Sequence, residues 1–206
     1  MNADKIRKGR KFDQVLDGAR TVFLRDGFEG ASVDDIARES GVSKATLYSY
    51  FPDKRLMFME VARLECRRQA DEAIETIDFG QPPAVVLSIA ARQIMEFMLS
   101  DIGQGVYRLI VAEGERFPEL ARAFYDSGPG FVHVTLMDYM GKAVARGELE
   151  IEDIDLAAHL FAELCKADLH TKICCGIVGH ASGAEKDRVV QGAVEMFLAR
   201  YGTKKA

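Results

Sequence analysis

Apolar residues recur along most of the chain with the period of an amphipathic α-helix. Between Phe12 and Phe23 they follow the i, i+3, i+4, i+7 and i+11 spacing of one helix face, and Gly27 is a candidate stop. No alternating β-branched run lies between hairpin turns, so the pattern predicts no strand. We therefore predict an all-α fold of about nine helices. The predicted helices cover about residues 10–26, 33–40, 44–51, 54–77, 84–101, 104–125 (with a break near Pro118), 131–146, 153–177 and 185–201.

The length of the predicted helices changes at Pro52. The three helices before it are short and closely spaced, whereas those after it are long. This change predicts a small N-terminal domain over residues 8–60 and a larger helical body over residues 61–206. The helix predicted over residues 54–77 would join the two without a flexible linker.

Residues 32–51 have the pattern of two short helices joined by a tight turn. Ser32, with Asp35 three residues later, resembles a capping box that opens the first helix. Gly41 stands where the chain must take a positive φ, and Ser43 is placed to cap the second helix. The pattern predicts a helix-turn-helix, whose second helix can enter the major groove of DNA.

The second of these helices would bury one face and leave the other to the solvent. Leu47 and Phe51 are four residues apart and share the inward face. The outward side chains offer phosphate donors, a base-edge donor and aromatic surface for thymine methyl groups; they are Lys44, Thr46, Tyr48, Ser49 and Tyr50. Corners of this kind also occur in all-α proteins that do not bind DNA, so the corner alone does not decide the function.

The distribution of charge favours DNA binding. The whole chain has a net charge of −5, but residues 1–60 carry 11 basic and 10 acidic groups. A short basic arm lies at the start of the chain, and its basic residues are Lys5, Arg7, Lys8, Arg10 and Lys11. A solubilising tail is the alternative interpretation of this arm.

The segment from Phe12 to Val61 resembles the N-terminal domain of the tetracycline-repressor (TetR) family. The resemblance rests on Ala19, Phe23, Gly27-Phe28, Ser32-Val33, Ile36-Ala37, the run from Gly41 to Phe51, and Lys54. It implies three DNA-binding helices followed by a helical domain for ligand binding and dimerisation. The DNA-binding residues implied by position are Ser32, Ser43, Lys44, Ala45, Thr46, Tyr48, Ser49, Tyr50 and Lys54.

The C-terminal body resembles the AefR-like subgroup of the same family. The matching run extends from Arg108 to Ala121 and continues through Phe124-Tyr125 and Gly128-Pro129. This resemblance does not identify an effector. We predict an effector pocket among flexible and aromatic side chains of the middle helices, although such side chains are more often plain core. They are Met95, Met98, Tyr107, Phe117, Phe124, Phe131, Met137, Met140 and Phe161.

An apolar stripe on the last predicted helix is the predicted dimer interface, because it is larger than a terminal helix needs for docking on its own domain. It consists of Val190, Ala193, Val194, Phe197, Leu198 and Tyr201. Pairing of the helices at 153–177 and 185–201 with their twofold mates would form a four-helix bundle. The resemblance implies the same interface.

These features predict a ligand-responsive, sequence-specific transcriptional regulator. The hypothesis is a homodimeric repressor that leaves its palindromic operator DNA when an unidentified small molecule binds the C-terminal domain. An enzyme is one alternative, but the common nucleotide-binding, zinc-protease and serine-hydrolase motifs do not occur. A helical adaptor that binds proteins through its acidic body is the other alternative.

We predict no metal, no cofactor and no membrane partner. His159 and His170 would share a face of the helix predicted over 153–177, but about 16 Å of helical rise separates them, so they cannot hold one ion. The four cysteines lack the spacing of a disulfide framework, and the longest nearly apolar run, residues 84–91, is too short to span a membrane. We therefore predict a cytoplasmic protein.

Overall fold

The computed structural model describes residues 9–203, without the side chains of residues 73, 74, 76 and 120. Within this range the fold is all-α, as predicted, and an isolated antiparallel bridge between Leu149 and Gly202 is its only β pairing. The helices are α1 (Arg10–Gly30), α2 (Val33–Glu39), α3 (Lys44–Tyr50), α4 (Lys54–Thr76), α5 (Pro83–Leu99), α6 (Asp101–Glu113), α7 (Pro118–Ser127), α8 (Pro129–Ala145), α9 (Ile154–Leu164), α10 (Leu169–Cys174) and α11 (Gly183–Tyr201). The arm residues Lys5, Arg7 and Lys8 lie outside the described range.

Two of the predicted helices are interrupted. The one predicted over 104–125 breaks where Pro118 opens α7, as expected from a residue that favours the first helical turn. The prediction of one helix over 153–177 is wrong, because α9 ends at Leu164 and α10 begins at Leu169. In the connection Asp168 takes a φ of 66° and a ψ of −61°, and the Leu169 N–H donates to the Ala167 carbonyl at 2.8 Å. This is the geometry of a γ-turn with a positive φ at its central residue, which is rare.

The described chain forms two compact units that alternate along the sequence. Unit 1 comprises the residues up to Glu65 together with Asp101–Phe124, and unit 2 comprises Cys66–Ser100 together with the residues from Tyr125 onward. Helix α6, which follows the predicted domain boundary by 40 residues, therefore packs against α1. The division into domains at residues 8–60 and 61–206 stays a prediction.

An aromatic cluster holds the helices of unit 1 together. Phe58 on α4 lies with its ring centroid 5.0 Å from that of Phe23 on α1 and 4.9 Å from that of Phe28. Helix α6 approaches this cluster at Gly105, where an added Cβ would lie 2.9 Å from the ring of Phe58. The absence of a side chain at Gly105 allows this close contact, so the surface of α6 fits the core that the N-terminal helices form.

The core of unit 2 is built by α5, α8, α9 and α11, and it contains the stripe that was predicted to face a partner chain. Val190, Ala193, Val194 and Phe197 are buried in this core, with 2–6% of their surface exposed, and Leu198 and Tyr201 pack against it. Within the described chain the four buried residues leave little surface for a partner, and the dimer interface at this stripe stays a prediction. The last helix uses most of its apolar stripe for docking on its own unit.

Candidate nucleic-acid interface

Helix α2 begins at a capped serine. The Ser32 hydroxyl accepts a hydrogen bond from the Asp35 backbone N–H at 3.0 Å and donates one to the Asp35 carboxylate at 2.5 Å. Hydrogen bonds from Ser32 and from Arg38 hold the pKa of the Asp35 carboxyl below its usual range. The side chain of Ser32 therefore has a structural role at the start of the helix, while its predicted contact with a DNA phosphate stays a prediction.

The turn between α2 and α3 has the geometry that the sequence predicts. Gly41 takes a φ of 62°, which is the left-handed conformation that glycine adopts without steric cost. The N–H groups of Gly41 and Val42 donate to the carbonyls of Arg38 and Ala37 at 3.2 and 3.1 Å. These bonds satisfy the end of α2 and reverse the chain, so that α3 can begin three residues later.

Helix α3 is held by one apolar face. Leu47 is fully buried and Phe51 is 3% exposed, which confirms their predicted inward orientation. At the start of the helix, the Ser43 hydroxyl accepts from the Thr46 N–H at 3.1 Å and lies 2.9 Å from the Thr46 hydroxyl. At the other end, the ring of Tyr50 meets Phe12 edge-on at 5.7 Å. Tyr50 is thus half-buried and anchors the end of α3 to α1.

The opposite face of α3 is exposed and carries Lys44, Ala45, Tyr48 and Ser49. Tyr48 exposes 47% of its surface although its ring is large and apolar. Ser49 donates to the Thr46 carbonyl at 2.6 Å, which keeps its hydroxyl close to the helix. A face with an exposed aromatic ring and hydroxyl groups can contact both base edges and phosphates in a major groove.

Lys44 is the positive charge at the start of this face, and it is paired within the chain. Its ammonium forms an ion pair with Asp34 of α2, and the hydrogen bond from that pair raises the pKa of Lys44. Because both side chains are more than half exposed, the pair is weak and open to competition. A DNA phosphate would have to compete with Asp34 for Lys44.

Lys54, predicted to contact a phosphate, has two partners inside unit 1. Its ammonium donates to the carbonyls of Phe28 and Ala31 at 2.8 and 3.1 Å and lies 4.5 Å from the centre of the Phe28 ring. It therefore links the start of α4 to the segment after Gly27, where a φ of 69° interrupts the helical backbone of α1. An ammonium has three donors, and these two bonds leave one for the predicted phosphate.

Two structural contacts of unit 1 were missed at the sequence level. Arg55 donates to Glu113 at the end of α6 at 3.0 Å and also pairs with Asp53, while its guanidinium lies 4.7 Å from the centre of the Phe117 ring. Contacts between residues about 60 positions apart cannot be predicted from the local periodicity of apolar residues. The opposite charges of Arg55 and Glu113 could have suggested the first of these contacts, whereas nothing local suggests the contact with Phe117.

The nine predicted effector-pocket residues are divided between the two units. Tyr107, Phe117 and Phe124 belong to unit 1, where Phe124 lines a cavity of about 290 Å³ together with Tyr50 and Arg63. In unit 2, three are buried core residues: Met95, Met140 and Phe161. The other three are partly buried: Met98, Phe131 and Met137. Their predicted role in effector binding stays a prediction.

A capped helix-turn-helix with an exposed polar and aromatic face on its second helix is typical of DNA-binding proteins of the helix-turn-helix class. The models of two known protein families match parts of this chain. The model described as "Bacterial regulatory proteins, tetR family" matches residues 15–61. The model described as "AefR-like transcriptional repressor, C-terminal domain" matches residues 85–203, which is more than half of the chain. The protein belongs to the TetR family of bacterial regulators and has an AefR-like C-terminal domain.

Solved structures of the same family match over nearly the whole chain. A structure from Mesorhizobium loti MAFF303099, assigned to the TetR-family transcriptional regulators, is 28% identical with a TM-score of 0.75, and the match covers 97% of this chain and 100% of that one. The flavonoid-responsive regulator FrrA is 31% identical with a TM-score of 0.67, and the match covers 96% and 100%.

Curated relatives match over a smaller part of the chain. The HTH-type transcriptional repressor AcnR of Corynebacterium efficiens is 34% identical over 62 residues, which are 30% of this chain and 33% of AcnR. The biofilm operon regulator IcaR of Staphylococcus aureus is 37% identical over 46 residues, or 22% of this chain and 25% of IcaR. The chain thus matches about a third of the length of AcnR and a quarter of that of IcaR.

The family and its relatives are transcriptional regulators and not enzymes, which confirms the prediction against an enzyme. The protein is a DNA-binding transcriptional regulator. Within residues 9–203, every helix is too short or too polar to cross a lipid bilayer.

Proposed function

We propose that the protein is a cytoplasmic repressor that binds a palindromic operator as a homodimer and releases it when a small molecule binds its C-terminal domain. The observation that carries this proposal is the exposed face of α3, with Tyr48 and Lys44 held outward by the buried Leu47. Repressor relatives such as AcnR and IcaR support the direction of regulation. The experiment is selection of binding sites from random duplex DNA, followed by a promoter–reporter assay with and without the protein.

The expected result is an inverted repeat whose half-sites are about 10 base pairs, or 34–36 Å, apart, or a multiple of this distance, with lower reporter expression when the protein is present. Higher expression would show activation, and recovery of unrelated sequences would contradict sequence-specific binding.

We propose that the homodimer forms through the outer faces of α9 and α11. These two helices contact each other within unit 2. Their solvent sides carry exposed apolar side chains, namely Leu156 (51% exposed), Leu160 (43%) and Met196 (63%). Two copies of this helix pair would form a four-helix bundle around a twofold axis. Such an arrangement supplies the fixed spacing that two recognition helices need.

We propose that the effector is a small, largely apolar molecule. A cavity of about 290 Å³, just below the usual size range of ligand sites of about 300–1,000 Å³, is lined by Phe124 of the C-terminal domain and by Tyr50 and Phe51 of the DNA-binding domain, so a ligand bound there would contact both domains. FrrA, which is similar over most of the chain, is described as flavonoid-responsive, so flavonoids are the first class to test. The measurement is operator release and thermal stabilisation with naringenin and quercetin, compared with Phe124→Ala.

The expected result is a higher melting temperature and weaker operator binding in the wild type, with both effects reduced in Phe124→Ala. If Phe124→Ala responded to the flavonoids as strongly as the wild type, this cavity would not be the effector site. No response to any small molecule in a wider panel would contradict ligand control itself.

A further inference from the structure

Three metal-ligating side chains meet in unit 2, away from the DNA-binding face. His133 belongs to α8, whereas Asp155 and His159 belong to α9. One ligand atom from each residue lies within 4.8 Å of the other two. His133 Nε2 is 2.9 Å from Asp155 Oδ1, and the imidazole rings of His133 and His159 stack with centroids 3.8 Å apart at 13°. The cluster therefore contains two imidazoles and one carboxylate.

The two helices position these groups for different reasons. Asp155 and His159 are four residues apart on α9, so they lie on the same face of the helix. Helix α8 packs against α9 and brings the mostly buried His133 side chain, 15% exposed, to that face. Because Asp155 and His159 are exposed, an ion would reach the cluster directly from solvent.

We propose that His133, Asp155 and His159 form a binding site for a divalent transition-metal ion of the zinc, cobalt or nickel class. Imidazole nitrogen suits these ions, whereas magnesium and calcium prefer oxygen ligands. With zinc–ligand distances of 2.0–2.2 Å, ligand atoms around a tetrahedral ion lie about 3.3 Å apart. His133 Nε2 and Asp155 Oδ1 lie 2.9 Å apart, so their side chains would separate by about 0.4 Å to reach this spacing. The soft χ2 torsion of His159 lets its ring turn toward the same point.

An ion at this position would have three protein ligands and at least one further position for water or another donor. It would also tie α8 to α9. Helix α9 carries Leu156 and Leu160 on its solvent side. The site therefore couples the binding of a metal to the stability of the helix that we propose for dimerisation, but metal binding itself does not depend on the proposed function.

A second pair of metal-ligating groups must be separated from this cluster in any test. His170 and Cys174 on α10 lie with Nε2 and Sγ 3.5 Å apart and could attract the same ions. Cobalt distinguishes the two, because a thiolate ligand adds a strong charge-transfer band to the cobalt spectrum, whereas histidine and carboxylate ligands do not.

The experiment titrates Zn²⁺ into the metal-free full-length protein by calorimetry and records the absorption spectrum with Co²⁺. The expected stoichiometry is one ion per chain, with a higher melting temperature in Zn²⁺ but not in Mg²⁺, because a ligand that binds only the folded state stabilises it. His159→Ala and Asp155→Asn change exposed side chains and should leave the fold intact. Each should weaken Zn²⁺ binding by at least about tenfold, which is the loss that even an outer-shell partner of a metal ligand causes.

The matched control is His180→Ala, which removes another exposed histidine of unit 2 and should leave Zn²⁺ affinity unchanged. Equal Zn²⁺ affinity of the wild type and His159→Ala would overturn the proposal. A thiolate band that disappears in Cys174→Ser would also overturn it, because the ion would then be bound at α10.

Discussion

At the scale of single residues, the structure gives several polar side chains a partner within the chain before any DNA is present. Ser32 and Ser43 cap helices, Lys54 binds two carbonyls, and Lys44 pairs with Asp34. Position in a sequence motif predicts that a side chain lies near DNA, but not what it binds when DNA is absent. Tyr48 differs from these residues because nothing in unit 1 covers almost half of its surface.

Tyr48→Ala should abolish most of the specific operator binding. Loss of one good base or backbone contact costs about 1–3 kcal/mol, so the Kd should rise by about tenfold or more. The melting temperature should not change, because Leu47 and Phe51 hold α3 in place. The measurement is fluorescence anisotropy with the selected operator. Tyr125→Ala, which removes a tyrosine of similar exposure (50%), is the control and should bind normally; an equal loss in both variants would contradict the assignment.

The ion pair between Lys44 and Asp34 should restrain DNA binding. Lys44→Ala should weaken it and reduce the log–log salt slope by about one unit, the value for one lost phosphate contact. Asp34→Asn should have the opposite effect on affinity, because it frees Lys44 and removes a negative charge beside the groove. Glu152→Gln removes one exposed acid of unit 2 and controls for net charge. If Asp34→Asn and Glu152→Gln bind equally well, the pair has no role in DNA binding.

At the scale of helices, the periodicity predicted most elements but not all of their ends. Helices bounded by glycine or proline, such as α3 and α7, begin or end close to the predicted residues. The break between α9 and α10 was missed because the residue with positive φ is Asp168, and an aspartate inside an apolar-periodic segment carries no clear stop signal. The contacts of α6 with α1 and α4 also escaped prediction, since they depend on tertiary packing.

Gly18 is the residue on which the packing of α1 against α2 depends most directly. A Cβ at this position would lie 2.2 Å from the Ser40 hydroxyl and 2.7 Å from the Ser40 nitrogen. Gly18→Ala should therefore destabilise the protein by about 1–3 kcal/mol, although alanine is the better helix former. Thermal unfolding should show a loss of several degrees, at about 2–4 °C per kcal/mol for a chain of this size.

The control for Gly18→Ala is Gly141→Ala, also within a helix, where the nearest atom to an added Cβ is 4.0 Å away. This change should be neutral or stabilising by up to about 1 kcal/mol. Similar melting temperatures for the two variants would show that α1 and α2 tolerate a wider separation than the structure indicates.

At the scale of the whole molecule, the sequence identified the family and the all-α class, but its apolar pattern alone does not locate the surface that faces a partner. An apolar stripe shows that a helix face is buried, and it does not show whether its own chain or another chain covers it. In α11 its own chain covers it, as the exposure of Phe197 (2%) demonstrates. The exposed Leu160 and Met196 carry the revised proposal because they are apolar and uncovered within the chain.

Leu160→Asp should convert the proposed homodimer to a monomer. A charge placed in an apolar interface of about 2,000 Å² or more is left without water or a partner. The measurement is sedimentation at about 10 μM, where an obligate dimer is fully associated, together with operator affinity, which should fall in parallel. Leu24→Asp changes a leucine of the same exposure (43%) on α1 and should remain dimeric. A Leu160→Asp variant that sediments as a dimer would locate the interface elsewhere.

The packing of α6 into unit 1 has a consequence for the construction of hybrid regulators. The simplest design of a hybrid regulator joins the DNA-binding domain of one family member to the C-terminal domain of another after the third or fourth helix. In this protein such a junction would separate Phe58 from Gly105 and Arg55 from Glu113, which are matched to each other across α4 and α6. A hybrid should therefore include Asp101–Phe124 together with the N-terminal helices, so that the DNA-binding domain keeps the residues that pack against its own core.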